Sequence, residues 1–285
     1  MKSIKICVAA ITAGVVCIAA VLCILSAAIY AENESGNSFI GLMYHQVLKD
    51  ESRAGKYIIT PNELESDLAY LSENGYVSVL PSQLVKIREQ GGRLPEKTVV
   101  ITFDDGYETG LYYVLPLLKK YGMKAVINVV GSYTDEYSRI NEEGKHLSYA
   151  YLTWNEIKTL SDSGYVEIGN HTYDMHSNNG DRNGCTRKEN ESDEQYRTVL
   201  YEDVARLSDK LQQVTGKRPV AFAYPFGSLS EGSAEIIGSA GISVFMTCCE
   251  QPCSMNRNGR IVINRYNRES GRSAQQICEE FNNAF

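Results

Sequence analysis

Short, continuously apolar runs recur along the chain at FIGLMY (39–44), TVVITF (98–103), KAVINVV (124–130), YVEIG (165–169), VAFAY (220–224), ISVFMT (242–247) and RIVIN (260–264). They are rich in β-branched and aromatic residues and lack the strict apolar–polar alternation of a half-solvated strand. That pattern predicts strands buried on both faces. Between them apolar positions fall at helical spacing, with readable ends. Thr60-Pro61-Asn62-Glu63 forms a capping box with proline at the first helical position. Leu64, Leu68 and Leu71 then mark one face, and Gly75 can close the helix in a left-handed conformation. Thr153 and Glu156 repeat the device ahead of Gly164. Ser192 and Gln195 open a longer helix carrying Val199, Leu207, Leu211 and Val214, which stops at Gly216. Strands alternating with helices predict an α/β domain with a parallel sheet, open or closed into a barrel. Residues 131–150 and 177–191 read as long polar loops, of a length more often functional than idle in a compact domain.

The N-terminus follows a different pattern. Lys2 and Lys5 precede an uncharged, apolar run over 6–31 that ends at Glu32. A secretory signal has an apolar core of about 7–15 residues, whereas this run is nearer the roughly 20 that cross a bilayer. With the lysines on its N-terminal side, residues 1–31 are expected to be a single-pass membrane anchor with the rest of the chain exported. Cleavage after Ala28 or Ala31, giving a secreted protein, is the alternative. Residues 32–37 form a polar tether, and 38–285 is long enough for one large α/β domain with a full core.

Beyond the two N-terminal lysines, 26 basic side chains face 35 acidic ones, a net charge of -9. Such a domain has no electrostatic reason to bind nucleic acid or an anionic surface, and a neutral or cationic substrate suits it better. Five cysteines lie outside the apolar run, Cys185, Cys248, Cys249, Cys253 and Cys278. Outside the cell they are read as disulfides with one left over, or as ordinary thiols. The 248–253 cluster lacks the paired spacing of a zinc knuckle.

The chemistry gathers at strand ends. TVVITF runs into Asp104-Asp105-Gly106, YVEIG into His171 and His176, VAFAY into Tyr224-Pro225, and FIGLMY into His45. In a parallel sheet or barrel all these C-terminal ends face one side, where active sites collect. A turn at Gly106 allows both carboxylates to reach one pocket. One carboxylate with two imidazoles is a common ligand set for a catalytic divalent metal, and the other carboxylate is then free to act as base. Such a set suits hydrolysis of an amide or ester.

Together TFDDGY, NHTYDMH and FAYPFG, in this order, resemble the polysaccharide deacetylase family, the carbohydrate esterases that share the NodB-type domain, from about residue 39 to about 267. The resemblance implies a distorted (β/α) barrel that removes acetyl groups from cell-wall or extracellular glycans with a divalent metal, zinc first among the choices. By the same resemblance Asp104 is the general base, and Asp105, His171 and His176 are the metal ligands. Tyr224, with Pro225, offers the backbone N–H that holds an oxyanion. Most family members place three residues between the two histidines. Here there are four, as in the subgroup acting on poly-N-acetylglucosamine. The usual late Leu-x-His acid is absent, and the early LMYHQV makes His45 its replacement. The family's arginine that orients the base is also absent from its usual place, where Ala221 and Ala223 stand, and Arg265 in INRYN is the substitute. His146 is read as structural. Tyr224, Phe226 and Trp154 are candidates for stacking on sugar rings, although Trp154 follows a helix cap and suits packing better.

The expected protein is thus a membrane-anchored, outward-facing, metal-dependent N-deacetylase of an N-acetylglucosamine-containing polysaccharide. An O-acetyl esterase with the same site and a catalytically inactive glycan-binding domain are the alternatives. The retained Asp104 argues against the second, because binding alone needs no base.

Overall fold

The computed structural model describes residues 37–140, 146–178, 180, 182–255 and 259–283. Seven strands run parallel around one sheet: β1 (Ser38–Tyr44), β2 (Thr98–Phe103), β3 (Ala125–Val129), β4 (Val166–Asn170), β5 (Ala221–Ala223), β6 (Val244–Met246) and β7 (Ile261–Ile263). β8 (Tyr266–Asn267) follows after only Asn264 and Arg265, and pairs in parallel with β1, Leu42 opposite Tyr266. One run of chain therefore pairs first with β6 and then with β1, which brings the sheet round into a nearly closed barrel. The seam is tight. A Cβ on Gly41 of β1 would lie 2.3 Å from the carbonyl oxygen of Asn264, so only glycine fits there.

Strand periodicity sorts side chains to the two sides. Ile40, Leu42 and Tyr44 of β1 and Val99, Ile101 and Phe103 of β2 belong to the outer cluster, with Leu64, Leu68 and Leu71 of α1 (Pro61–Glu73). The intervening positions face inward, where Phe39, Val100, Val126, Ala223, Met246 and Ile263 form the interior cluster. Leu84 of α2 (Pro81–Glu89) joins that interior cluster, so this helix covers the N-terminal mouth of the barrel. Strands β2 and β3 are buried at every residue, which is why they read as unbroken apolar runs.

The remaining helices are α3 (Leu115–Tyr121), α4 (Gly131–Tyr137), α5 (Trp154–Asp162), α6 (Asp193–Thr215), α7 (Ser233–Ser239) and α8 (Ala274–Asn282). The boxes at Thr60, Thr153 and Ser192 all form, and α6 ends at Gly216 with φ 73°. Two expectations need correction. Residues 131–150 are not one loop, since α4 occupies their start, where tertiary contacts override a weakly periodic sequence. Val199 is exposed, and the buried stripe of α6 runs instead through Leu200, Val204, Leu207 and Leu211. Cys185, Cys248, Cys249, Cys253 and Cys278 are free thiols. No described helix is long and apolar enough to cross a membrane; the anchor assigned to 1–31 and most of the tether lie outside the described residues.

Candidate active site

The inward periodicity of the strands continues beyond their ends. From β2 it carries Thr102 and then Asp104 to the C-terminal mouth, and from the β7–β8 connection it carries Arg265. Arg265 is fully buried, and its Nη1 donates to Asp104 Oδ1 at 2.7 Å and to Thr102 Oγ1 at 3.1 Å. Its Nε donates to the Thr247 carbonyl at 3.0 Å. Asn128, on the inward face of β3, donates its Nδ2 to the same Asp104 Oδ1 at 2.7 Å. Gly169 leaves room for that amide, since a Cβ there would lie 2.0 Å from Asn128 Oδ1. Burial by itself would raise the pKa of Asp104, but the Arg265 guanidinium, together with His171 and His45, outweighs it and holds the carboxyl at about 2. Asp104 is therefore a buried, ionised carboxylate with both strong donors on one oxygen.

Asp105 turns the backbone at φ 71°, ahead of Gly106 at φ 73°. Two consecutive left-handed residues swing the second carboxylate round beside the first, and aspartate is among the few non-glycine residues that tolerate this conformation. Its Oδ1 meets His176 Nε2 at 3.1 Å and His171 Nε2 at 3.5 Å. Among the described residues these three form a group that could hold a metal ion, with ligand atoms all within 4.8 Å of one another. The tautomer of His171 follows from its other nitrogen. Nδ1 lies 2.8 Å from the Ala223 carbonyl, which only accepts, so Nδ1 carries the hydrogen and Nε2 presents its lone pair to the cleft. His176 stands beside Tyr133 of α4, whose hydroxyl lies 3.3 Å from His176 Nδ1 and donates to the His176 carbonyl at 3.1 Å. Burial would raise the Asp105 pKa, yet the imidazoles of His171 and His176 beside it, with His45 nearby, keep it well below the usual carboxylate range. Between the histidines Thr172 sits at φ 72°, a strained conformation for a β-branched residue worth about 1–3 kcal/mol.

These groups open into a cleft of about 560 Å³ that His45 and Phe226 also line. His45 Nδ1 is buried without a hydrogen-bond partner among the described residues, and its ring meets Tyr57 edge-on. Burial lowers its pKa against the opposing pull of Asp105 and Asp104. Phe226 is half-exposed, 4.7 Å from the His176 ring, on a turn where it adopts φ 58°.

Tyr224 departs from expectation. Its backbone N–H donates to the Met246 carbonyl at 3.2 Å, within the sheet, and its ring packs among Phe222 and Phe245 on the outer side of the barrel. The N–H assigned to an oxyanion is thus already engaged, because Tyr224 still obeys strand register. Pro225 is buried at the start of the following turn. Trp154 packs as expected, its Nε1 donating to Asp135 at 2.9 Å. His146 stays outside the cleft, accepting from the Ser148 N–H at 3.3 Å.

Thr102, Asn128 and Tyr133 were not singled out from the sequence. For Asn128 a signal existed, as a lone amide inside KAVINVV with the parity of the inward face. Tyr133 lies in the stretch read as loop, so nothing local marked it.

Comparison with known proteins agrees with this geometry. The polysaccharide deacetylase family model matches residues 91–245, more than half of the chain. The poly-beta-1,6-N-acetyl-D-glucosamine N-deacetylase of Escherichia coli strain K12 is 27% identical over 231 residues, covering 74% of this chain and 34% of the relative. This chain therefore spans about a third of that relative's length. Among solved structures, a de-N-acetylase from Aggregatibacter actinomycetemcomitans superposes with TM-score 0.73 at 25% identity, covering 85% of this chain and 99% of the other. IcaB from Ammonifex degensii gives TM-score 0.68 at 26% identity, covering 86% and 97%. The similar proteins, the barrel and the motif order agree, and the chain belongs to the polysaccharide deacetylase family.

Proposed function

We propose that this protein is a metal-dependent hydrolase that removes N-acetyl groups from an extracellular polysaccharide containing N-acetylglucosamine. The observation that carries the reading is the convergence of Asp105, His171 and His176 beside Asp104, a carboxylate kept ionised by a buried arginine. The name of the Escherichia coli relative supports the substrate class, and that of the Aggregatibacter actinomycetemcomitans de-N-acetylase supports an N-acetyl bond. The donor set fits a divalent ion: two imidazoles and one carboxylate suit zinc, and the proton on His171 Nδ1 leaves Nε2 free for it. Asp105 Oδ1, His171 Nε2 and His176 Nε2 would hold the ion. When bound, it supplies Lewis acidity towards an amide carbonyl and a water molecule.

The chain's own residues do the rest. Asp104 takes the proton of the attacking water. Because Oδ1 already accepts from Arg265 and Asn128, the proton goes to Oδ2. His45, across the cleft, delivers a proton to the departing amine. A buried, unpartnered Nδ1 is suited to that role, since it completes its hydrogen bonding with what the cleft receives. The apolar run 6–31 behind two lysines supports an anchor that holds the catalytic domain outside the membrane.

The test is zinc content together with acetate release from N-acetylglucosamine oligomers, for the full-length chain and for Asp104→Asn. One zinc per chain in both, with acetate from the unaltered protein and a loss of 10²–10⁴-fold in the variant, is the expected result. An unaltered protein that binds no zinc overturns the site. One that binds zinc but releases acetate only from O-acetylated sugars overturns the amide substrate.

A further inference from the structure

We propose that Asp203 of α6 is a positioning residue that sets the separation of His171 and His176 by clamping the backbone between them. The inference rests on the reading of those histidines as metal ligands. Four residues separate them, and such a stretch has many conformations that would not bring both rings to one ion. Two of the four are held by one carboxylate. The Tyr173 N–H donates to Asp203 Oδ1 at 2.7 Å and the Asp174 N–H to Oδ2 at 2.8 Å.

The same helix grips the start of the segment. Asn170 donates to the Val204 carbonyl at 2.9 Å and to Ser208 Oγ at 3.1 Å, while its Oδ1 accepts from the Thr172 N–H at 2.9 Å. From the other side, α4 donates Gly131 N–H to the Thr172 carbonyl at 3.1 Å and Ser132 N–H to the Tyr173 carbonyl at 2.7 Å. Arg206, one turn along α6 from Asp203, stacks on the Tyr173 ring with its guanidinium 3.6 Å from the centroid. A β-branched residue at φ 72°, as Thr172 is, persists only when its surroundings over-determine it, and these bonds do so.

Only a carboxylate accepts two hydrogen bonds in this arrangement. Asparagine supplies one acceptor and turns its NH₂ towards the second N–H. Asp203 is partly buried, and burial pushes its pKa up to about 6 against its two backbone donors, with Asp174 raising it further and Arg206 lowering it.

The experiment measures zinc affinity by chelator competition, on the full-length chain, for the unaltered protein, Asp203→Asn and Glu202→Gln. Glu202 is exposed one residue away on the same helix, and its variant loses the same charge while leaving the two clamp hydrogen bonds of Asp203 in place. Weakening of about 10–100-fold in Asp203→Asn alone is the expected result, the usual effect of removing a group that orients ligands. Equal weakening in both variants would assign the effect to net charge and overturn the clamp. So would a folded Asp203→Asn with unchanged affinity. An unaltered protein that binds no zinc would instead remove the metal reading, and the clamp with it. If Asp203→Asn does not fold, hydrogen exchange of the metal-free unaltered chain decides. Tyr173 and Asp174 amides that exchange as slowly as the strands support a pre-formed clamp, and exchange at open-loop rates excludes it.

Discussion

Arg265 and Asp104 form an ion pair with almost no solvent contact, 0% and 3% exposed at the side chains. Pairs of this kind contribute little net stability, but removing one partner strands the other charge at a cost of about 3–5 kcal/mol. Arg265→Met should therefore destabilise the fold and leave the burial of Asp104 uncompensated. The carboxyl pKa then rises from about 2. Because the base acts ionised, a rising pKa narrows activity from the acid side. The acid limb of kcat/KM should move up by about 1–3 pH units, with zinc content unchanged. An acid limb that stays in place would show that Arg265 does not tune the base. At this scale the roles of Asp104, Asp105, His171 and His176 were stated from motifs, and the structure brings all four to one cleft. Arg265 was reached only through a resemblance, because its partner lies 161 positions away. The inward parity of Asn128 is local, but its bond to Asp104 and the engaged N–H of Tyr224 depend on which strand lies beside which, and no local signal states that.

Elements show a contrast between caps and seams. In the box at Thr60, Thr60 Oγ1 accepts from the Glu63 N–H three positions on at 3.2 Å, a bond local to the start of α1, although the Glu63 carboxylate also accepts from Ser270 and Gly271. Thr60→Ala should lower stability by about 1 kcal/mol and leave turnover per folded molecule unchanged. Gly41 lies where β1 meets the turn carrying Arg265, and a methyl group there would meet the Asn264 backbone and the Arg265 Cγ at 3.2 Å. Gly41→Ala should cost about 1–3 kcal/mol by overpacking, and it should also lower kcat by moving Arg265 relative to Asp104. Melting temperature and kcat measured on both variants separate the cases. A Gly41→Ala protein with reduced stability and normal kcat would mean that the seam does not position the arginine. The helices with boxes were readable because capping is local. The α4 helix was not, since its stretch lacks strong periodicity and it forms against the loop that carries the histidines.

The whole molecule inherits a pH dependence from its buried carboxylates. Asp104 has a folded pKa of about 2 against an ordinary value of about 3.9. A depressed pKa stabilises the fold above the unfolded value and ceases to do so as pH falls through the folded one, a contribution of about 2–3 kcal/mol. Asp203, raised to about 6, has the opposite sign, since protonation below that pH favours the folded state. Metal-free protein should thus change little in stability between pH 7 and 5, and then lose it steeply towards pH 2. Denaturant midpoints across that range check this, and a steep loss already between pH 7 and 5 would contradict it. By itself the sequence determined the succession of strands and helices, the ends of the capped helices and the pairing of polar clusters with strand ends, because each rests on neighbours within a few positions. Tertiary structure decided how the sheet closes through Asn264 and Arg265, which oxygen of Asp104 stays free, the tautomer of His171 and the clamp from α6 on the ligand loop. Each of these depends on atoms brought together from distant parts of the chain, where a shift of about one residue in register would turn every inward side chain outward.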